Sequence, residues 1–366
     1  MTAEILLPGR TRPLVVDPPH WPASSPPPLR RRVFAAAHVA AAPDGSIDWP
    51  ATMAFRDHLW GLGFGVADAM DTAQRGMGLS WPRVRELVAA SGKRATGALA
   101  CGAGTDQLPD EAEVSLVDVA AAYREQIAMV QDAGAQVIVM ASRALARVAG
   151  GAADYRDLYG ELIGSTREPV ILHWLGDMFD PRLAGYWGSE DLDVATETVL
   201  AIIAEQPDRV DGVKVSLLDA RREIALRRRL PAGVRLYTGD DFHYDELIEG
   251  DDHGHSDALL GAFAAISRPA AAALWALDAG DVLGYRAAMA PTVPLARHVF
   301  ETPTYHYKTG IAFLAWLNGF QEHFAMIAGQ HTARPLEHLV RLFELAVDAG
   351  VLADPELAVA RMRTLL

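Results

Sequence analysis

Val210-Asp211-Gly212-Val213-Lys214-Val215-Ser216 is a short valine-rich run interrupted by one lysine. It reads as a β-strand, and a strand interior normally takes an apolar residue. An ammonium ion placed there must find a partner or give up its proton. The chain has only three lysines, Lys93, Lys214 and Lys308, among 33 basic residues, so the other thirty are arginines. Against that scarcity Lys214 stands out. Desolvation lowers an amine's pKa, and the neutral amine can attack a carbonyl to give an imine that serves as an electron sink. The competing reading is a lysine snorkelling from a strand end to a salt bridge with Asp211 or Asp241.

Working outward, short apolar runs alternate with longer amphipathic stretches. Candidate strands fall at 33–41, 61–69, 95–103, 136–141, 169–173, 210–216, 234–238 and 258–264, with helical segments such as 81–90, 117–133 and 194–204 between them. Gly92, Gly134 and Gly212 sit where helix C-caps or strand starts want glycine. Eight alternating units predict an α/β fold, a (β/α)8 TIM barrel, with a doubly wound sheet as the competing arrangement. Residues 1–31 are rich in proline and close on Arg30-Arg31-Arg32, which predicts an extended N-terminal arm. The barrel then covers 32–300. Alanine- and leucine-rich helical text at 336–349 and 355–366 predicts a C-terminal helical extension over 301–366.

Composition narrows the function classes. Of 366 residues, half are hydrophobic and 22% charged, as in a soluble globular protein. A net charge of −14 opposes a nucleic-acid or anionic-membrane partner, since a phosphate-tracking surface needs clustered lysine and arginine. The lone Cys101 cannot form an internal disulfide, which suits a reducing cytoplasm. No stretch approaches the ~20 apolar residues of a membrane helix. The N-terminus has neither the basic region nor the apolar core of a signal peptide.

Lys214 with its flanks, followed 25 residues later by Gly239 in Tyr237-Thr238-Gly239-Asp240-Asp241, resembles two segments of the dihydrodipicolinate synthase and N-acetylneuraminate lyase superfamily. These are its sixth-strand Schiff-base lysine and its seventh-strand Gly-Asp-Asp. Asp44-Gly45-Ser46-Ile47-Asp48 resembles the family's lead into the first helix, and Gly78-Leu79-Ser80 through Leu87 its helix after strand two. Pro169-Val170-Ile171-Leu172-His173 resembles its fifth strand, and Thr302-Pro303 through Tyr307-Lys308 the segment beyond the barrel. The resemblance spans about residues 32–310. It implies a class I aldolase-type TIM barrel, a lyase acting on a small carbonyl compound through Lys214 without a cofactor, and a homodimer or homotetramer.

This branch is atypical. Where the family has Gly-Thr-Thr-Gly-Glu after strand two, binding a substrate carboxylate, the chain has Asp71-Thr72-Ala73-Gln74-Arg75. Thr72 can keep a hydroxyl contact, but Asp71 repels a carboxylate. Where the family ends strand four with a proton-relay tyrosine, the chain has Ala141-Ser142-Arg143. A more hydroxylated, sugar-derived carbonyl substrate therefore suits it better than pyruvate, in an aldolase or dehydratase reaction.

Active sites of such barrels lie at the C-terminal ends of the strands. By the strand assignment those ends present His173, Asp177, Lys214, Gly239, Asp240, Asp241 and His243, with His253, His255 and Asp257 leading into strand eight. His173 is the first choice of proton shuttle and Asp241 its acidic companion, against a role in rim hydrogen bonding only. Thr72, Asp71, Ser142, Arg143, Gly239 and His243 are the candidate substrate contacts. Arg143 or Arg75 could anchor an anionic group, or could simply be surface arginines. Tyr305, His306 and Tyr307 read as packing. The alternatives are a divalent metal held by His173, Asp241, His243 and His255, or a barrel without catalysis.

Overall fold

Alternation of β-branched runs with helical segments produces eight barrel strands in the computed structural model, which describes residues 1–109 and 113–366. They are β1 (Val33–Ala36), β2 (Gly65–Asp68), β3 (Leu99–Ala103), β4 (Gln136–Val139), β5 (Val170–Leu175), β6 (Val210–Ser216), β7 (Arg235–Thr238) and β8 (Asp257–Leu260). They close in sequence order, β8 beside β1, into a parallel barrel. A doubly wound sheet is excluded. Every strand falls within or across a run read from the sequence, though several runs overshoot. Gly61 ends the helix Trp49–Gly61 and 62–64 lead into β2, and 262–264 form a 3-10 turn rather than continuing β8.

The helices start where the side chains provide caps. Asp48 accepts from the Ala51 amide ahead of the helix Trp49–Gly61. Ser115 and Asp118 make a reciprocal capping box ahead of Leu116–Asp132, each satisfying an amide that a helix start leaves open. Gly134 follows that helix with φ +75°, as a C-terminal glycine should. Two other glycines do different work from the caps and strand starts expected of them. Gly92 lies inside the helix Trp81–Arg94, where a Cβ would meet the Ala133 carbonyl at 2.4 Å. Gly212 lies inside β6, where a Cβ would come 2.7 Å from both the Tyr237 ring and the Arg235 carbonyl.

The contacts divide the chain into two compact units. The first comprises residues 1–66, 71–79 and 260–366, and the second 67–70 and 80–259. In the first, Ala3–Ile5 and Leu14–Val16 pair antiparallel into a hairpin that the arm reading did not include. Its Ile5 and Val16 are buried, Arg363 donates to the Glu4 carbonyl, and Arg10 pairs with Glu344 at 2.6 Å. Helices Ser267–Asp278, Val282–Met289, Thr292–Val299, Tyr307–Leu317, Leu336–Asp348 and Pro355–Arg363 complete that unit. Among the described residues no helix is long and apolar enough to cross a membrane.

Candidate active site

Alternate residues of a strand face opposite sides of the sheet, so β5, β6 and β7 can be sorted by register. His173 pairs with Lys214 and Lys214 with Tyr237, while Trp174 pairs with Val215 and Val215 with Thr238. The second set faces the helices. The Trp174 ring meets Trp187, which packs on Tyr155 and Tyr159 of the helix Ala152–Ser165. Thr238 donates to Glu223 of the helix Ala220–Arg227 at 3.0 Å. His173, Lys214 and Ser216 therefore share the interior face.

Lys214 is 5% exposed and His173 fully buried. The lysine arm runs along β6 past the end of β7. At Gly239 a Cβ would stand 2.8 Å from Lys214 Cε, 2.8 Å from the Val215 carbonyl and 2.2 Å from Ser216 Oγ. Only glycine leaves that path open. Ser216 Oγ lies 3.4 Å from His173 Nε2.

The turn after β7 is built by its acids. Asp240 accepts the amides of Phe242 and His243 and meets His243 Nδ1 at 2.9 Å, while its own amide donates to Thr238. This holds the buried Asp241, two residues after Gly239, in the same turn. Behind it, Glu223 accepts from Thr238 and Ser256. Burial, with Asp240 adding like charge, pushes its carboxyl up to about 8. Asp211 is engaged by Arg235 at 2.7 Å and by the Tyr237 hydroxyl at 2.6 Å.

Two hydroxyls meet beyond β3 and β4, Thr105 and Ser142, at 2.6 Å. Ser142 also caps the helix Arg143–Val148 through the Leu145 amide. Arg143 turns to Asp180, which also faces Arg182, so its charge is already matched. Three tyrosines hold the end of β4. Tyr123 donates to the Met140 carbonyl at 2.5 Å, and Tyr186, 2.9 Å from the Tyr159 hydroxyl, accepts from the Ser142 amide. Burial raises all three, Tyr123 to about 12. Such hydroxyls suit structure better than proton transfer. Among non-glycine residues, Ala69 and Leu218 adopt left-handed backbone just past β2 and β6, and Gln74, Trp187 and Ala328 do so elsewhere.

Asp71 and Thr72 belong to the other unit, in the 3-10 turn Asp71–Ala73. Tyr307 donates to Asp71 at 2.6 Å, and because its one proton goes there, Thr72 donates to Tyr307 at 2.8 Å. Tyr307 also stacks on Phe300, the packing expected of it, but its hydroxyl was not anticipated. Arg75 is 7% exposed, no surface arginine.

His253, His255 and Asp257 come to lie at the other end of the strands. The helix Tyr244–Glu249 carries the chain back before β8 begins at Asp257, and Asp257 pairs with Arg235 at the start of β7. His253, His255 and Asp177 are exposed. Among the described residues His173, Asp241, His243 and His255 form no converging ligand group; the one such group is His298, Glu301 and His338.

Residues 10–366 match a family described as protein of unknown function (DUF993). The chain belongs to the DUF993 family. No curated protein matches this DUF993 chain. Its fold is that of the dihydrodipicolinate synthases. A putative dihydrodipicolinate synthetase from Pseudomonas aeruginosa aligns with TM-score 0.68 at 19% identity, covering 88% of this chain and all of the other. The E. coli K12 prophage protein YagE of the same family, solved in complex with pyruvate, aligns with TM-score 0.70 at 15% identity over 88% and 99%. The Aquifex aeolicus dihydrodipicolinate synthase aligns with TM-score 0.66 at 15% identity over 88% and 99%. At these identities the likeness is one of fold.

Proposed function

We infer that this DUF993 protein is a Schiff-base-forming lyase of the aldolase or dehydratase kind, acting on a small carbonyl compound through Lys214. The observation that carries the reading is the buried lysine on the interior face of β6, its arm admitted by Gly239 and level with His173 on β5. Desolvation favours the neutral amine. Its lone pair adds to the carbonyl carbon, the carbonyl oxygen takes a proton, and loss of water gives the iminium ion. In an aldol cleavage the Cα–Cβ bond breaks, its electron pair passes to the iminium and leaves an enamine, and the β-hydroxyl gives up its proton as that carbon departs as a carbonyl compound; in a dehydration the α-carbon loses a proton to give the enamine, which expels the β-hydroxyl as water. Protonation at carbon and hydrolysis by water return the free amine. His173 moves the protons, and Asp241 balances the charge that develops nearby. The hydroxyl pair Thr105–Ser142 suits a hydroxylated substrate, and Asp71, where the family binds a carboxylate, argues against pyruvate.

Borohydride reduction tests the reading. The protein is incubated with a panel of 2-oxo acids and oxidised sugars and then reduced; a stable mass increase is expected with a hydroxylated carbonyl compound and not with pyruvate. Lys214→Ala should lose several orders of magnitude in rate, and Lys214→Arg should fail almost as badly, because a guanidinium keeps its proton. An arginine variant with substantial activity would end the imine mechanism.

A further inference from the structure

His298 lies in the last turn of the helix Thr292–Val299, Glu301 follows three residues later, and His338 lies in the first turn of Leu336–Asp348. Their donor atoms all lie within 4.8 Å of one another. We propose that these three side chains form a divalent-metal site of the zinc class that clips the two helices together.

The hydrogen-bond bookkeeping of the cluster points there. His298 Nε2 lies 3.0 Å from the His338 carbonyl oxygen. A carbonyl oxygen only accepts, so Nε2 carries a proton. In the neutral ring Nδ1 is then a bare lone pair, and it faces Glu301 Oε2 at 3.1 Å. Two acceptors at that distance repel unless positive charge sits between them. An extra proton on His298 supplies one unit. A divalent ion supplies two, and it also recruits His338 Nδ1, which lies 2.8 Å from the other Glu301 oxygen.

A ring nitrogen donating to a backbone carbonyl while the other turns to a ligand site is the usual way a metal-binding histidine is oriented. Two imidazoles and one carboxylate suit zinc, with water as fourth ligand. Glu301 is 46% exposed at its side chain, leaving that fourth side open. Arg334 donates to the carbonyls of Glu301, Thr302 and Pro303, which fixes the backbone that carries the carboxylate. The two rings stack with centroids 4.1 Å apart at 20°. Their in-plane lone pairs must converge on one ion, so binding splays the stack.

This site is independent of the imine chemistry, and its test uses the full chain with any affinity tag removed. After equilibration with Zn²⁺ and desalting, elemental analysis should find about one zinc per chain in the wild type, and Zn²⁺ should raise its Tm by mass action. Co²⁺ in the same site should give visible d–d absorption. Glu301→Gln preserves size and a hydrogen bond to His338 at a half-exposed position, so it should fold. It should lose the absorption band, the thermal shift and at least about tenfold in affinity. His298→Gln should do the same. Wild type without stoichiometric zinc, or zinc content and stabilisation equal in both variants, would overturn the site.

Discussion

Gly239 shows how one residue can decide whether a lysine is usable. A methyl group there would stand 2.8 Å from the Val215 carbonyl, which is backbone and cannot swing away, and the same distance from Lys214 Cε. Gly239→Ala should therefore cost about 1–3 kcal/mol in stability, as overpacking does. It should slow imine trapping more than the stability loss explains, read from thermal melts beside trapping rates. Glu223 makes a different prediction. Its folded pKa, about 8, lies above the ordinary 4.5, so the folded state holds a proton that the unfolded chain has released. The stability Glu223 contributes should be fully present below pH 4.5 and fall as pH rises towards 8, by at most about 1.4 kcal/mol per pH unit. Glu223→Gln has no such proton, and its stability should be flatter across that window; equal slopes in chemical denaturation would show that Glu223 is not the group responsible. Lys214 and His173 were legible because each is a polar residue inside an apolar strand. Ser216 and Tyr307 were not: a serine at a strand end and a tyrosine in a helical stretch carry no local sign of what they will meet.

At the scale of elements, periodicity located every barrel strand but not where each one stops. Residues 61–64 and 262–264 are as apolar as the strands beside them, and what ends β8 is a 3-10 turn that hydropathy does not mark. Parity fared better than placement. His255 was expected with the site, but a six-residue helix returns the chain to the opposite strand ends before β8. The hairpin at Ala3–Ile5 and Leu14–Val16 escaped because three-residue strands are too short for an alternation to show. It is nevertheless anchored: Ile5, Leu7 and Val16 are each at most 2% exposed, and Trp21 donates to the Ala349 carbonyl at 3.4 Å. Burying such side chains contributes about 1.5–3 kcal/mol each. Removing residues 1–31 should lower Tm by several degrees and raise proteolysis at the C-terminal helices. An unchanged melt would mean that the hairpin is an ornament on this unit.

The whole molecule sets the background for the covalent test through its composition. With three lysines in 366 residues, the chain offers only three side-chain primary amines. Lys93 is exposed near the end of the helix Trp81–Arg94, away from the barrel strands' interior face. Lys308 is 4% exposed, with Nζ 4.6 Å above the Tyr307 ring and 3.4 Å from the Tyr305 carbonyl. A short incubation with substrate followed by borohydride should therefore mark Lys214 first. Trypsin reports the result directly. It cuts after Arg209 and Arg221, and after Lys214 only while that amine is free, so labelled protein should yield an intact peptide of residues 210–221 with the added mass. Lys93→Gln and Lys308→Gln should label at the wild-type rate, and Lys214→Arg should give unlabelled peptides 210–214 and 215–221. Label confined to Lys93 and Lys308, with cutting at Lys214 undiminished, would remove the imine from this protein and leave the barrel as it stands.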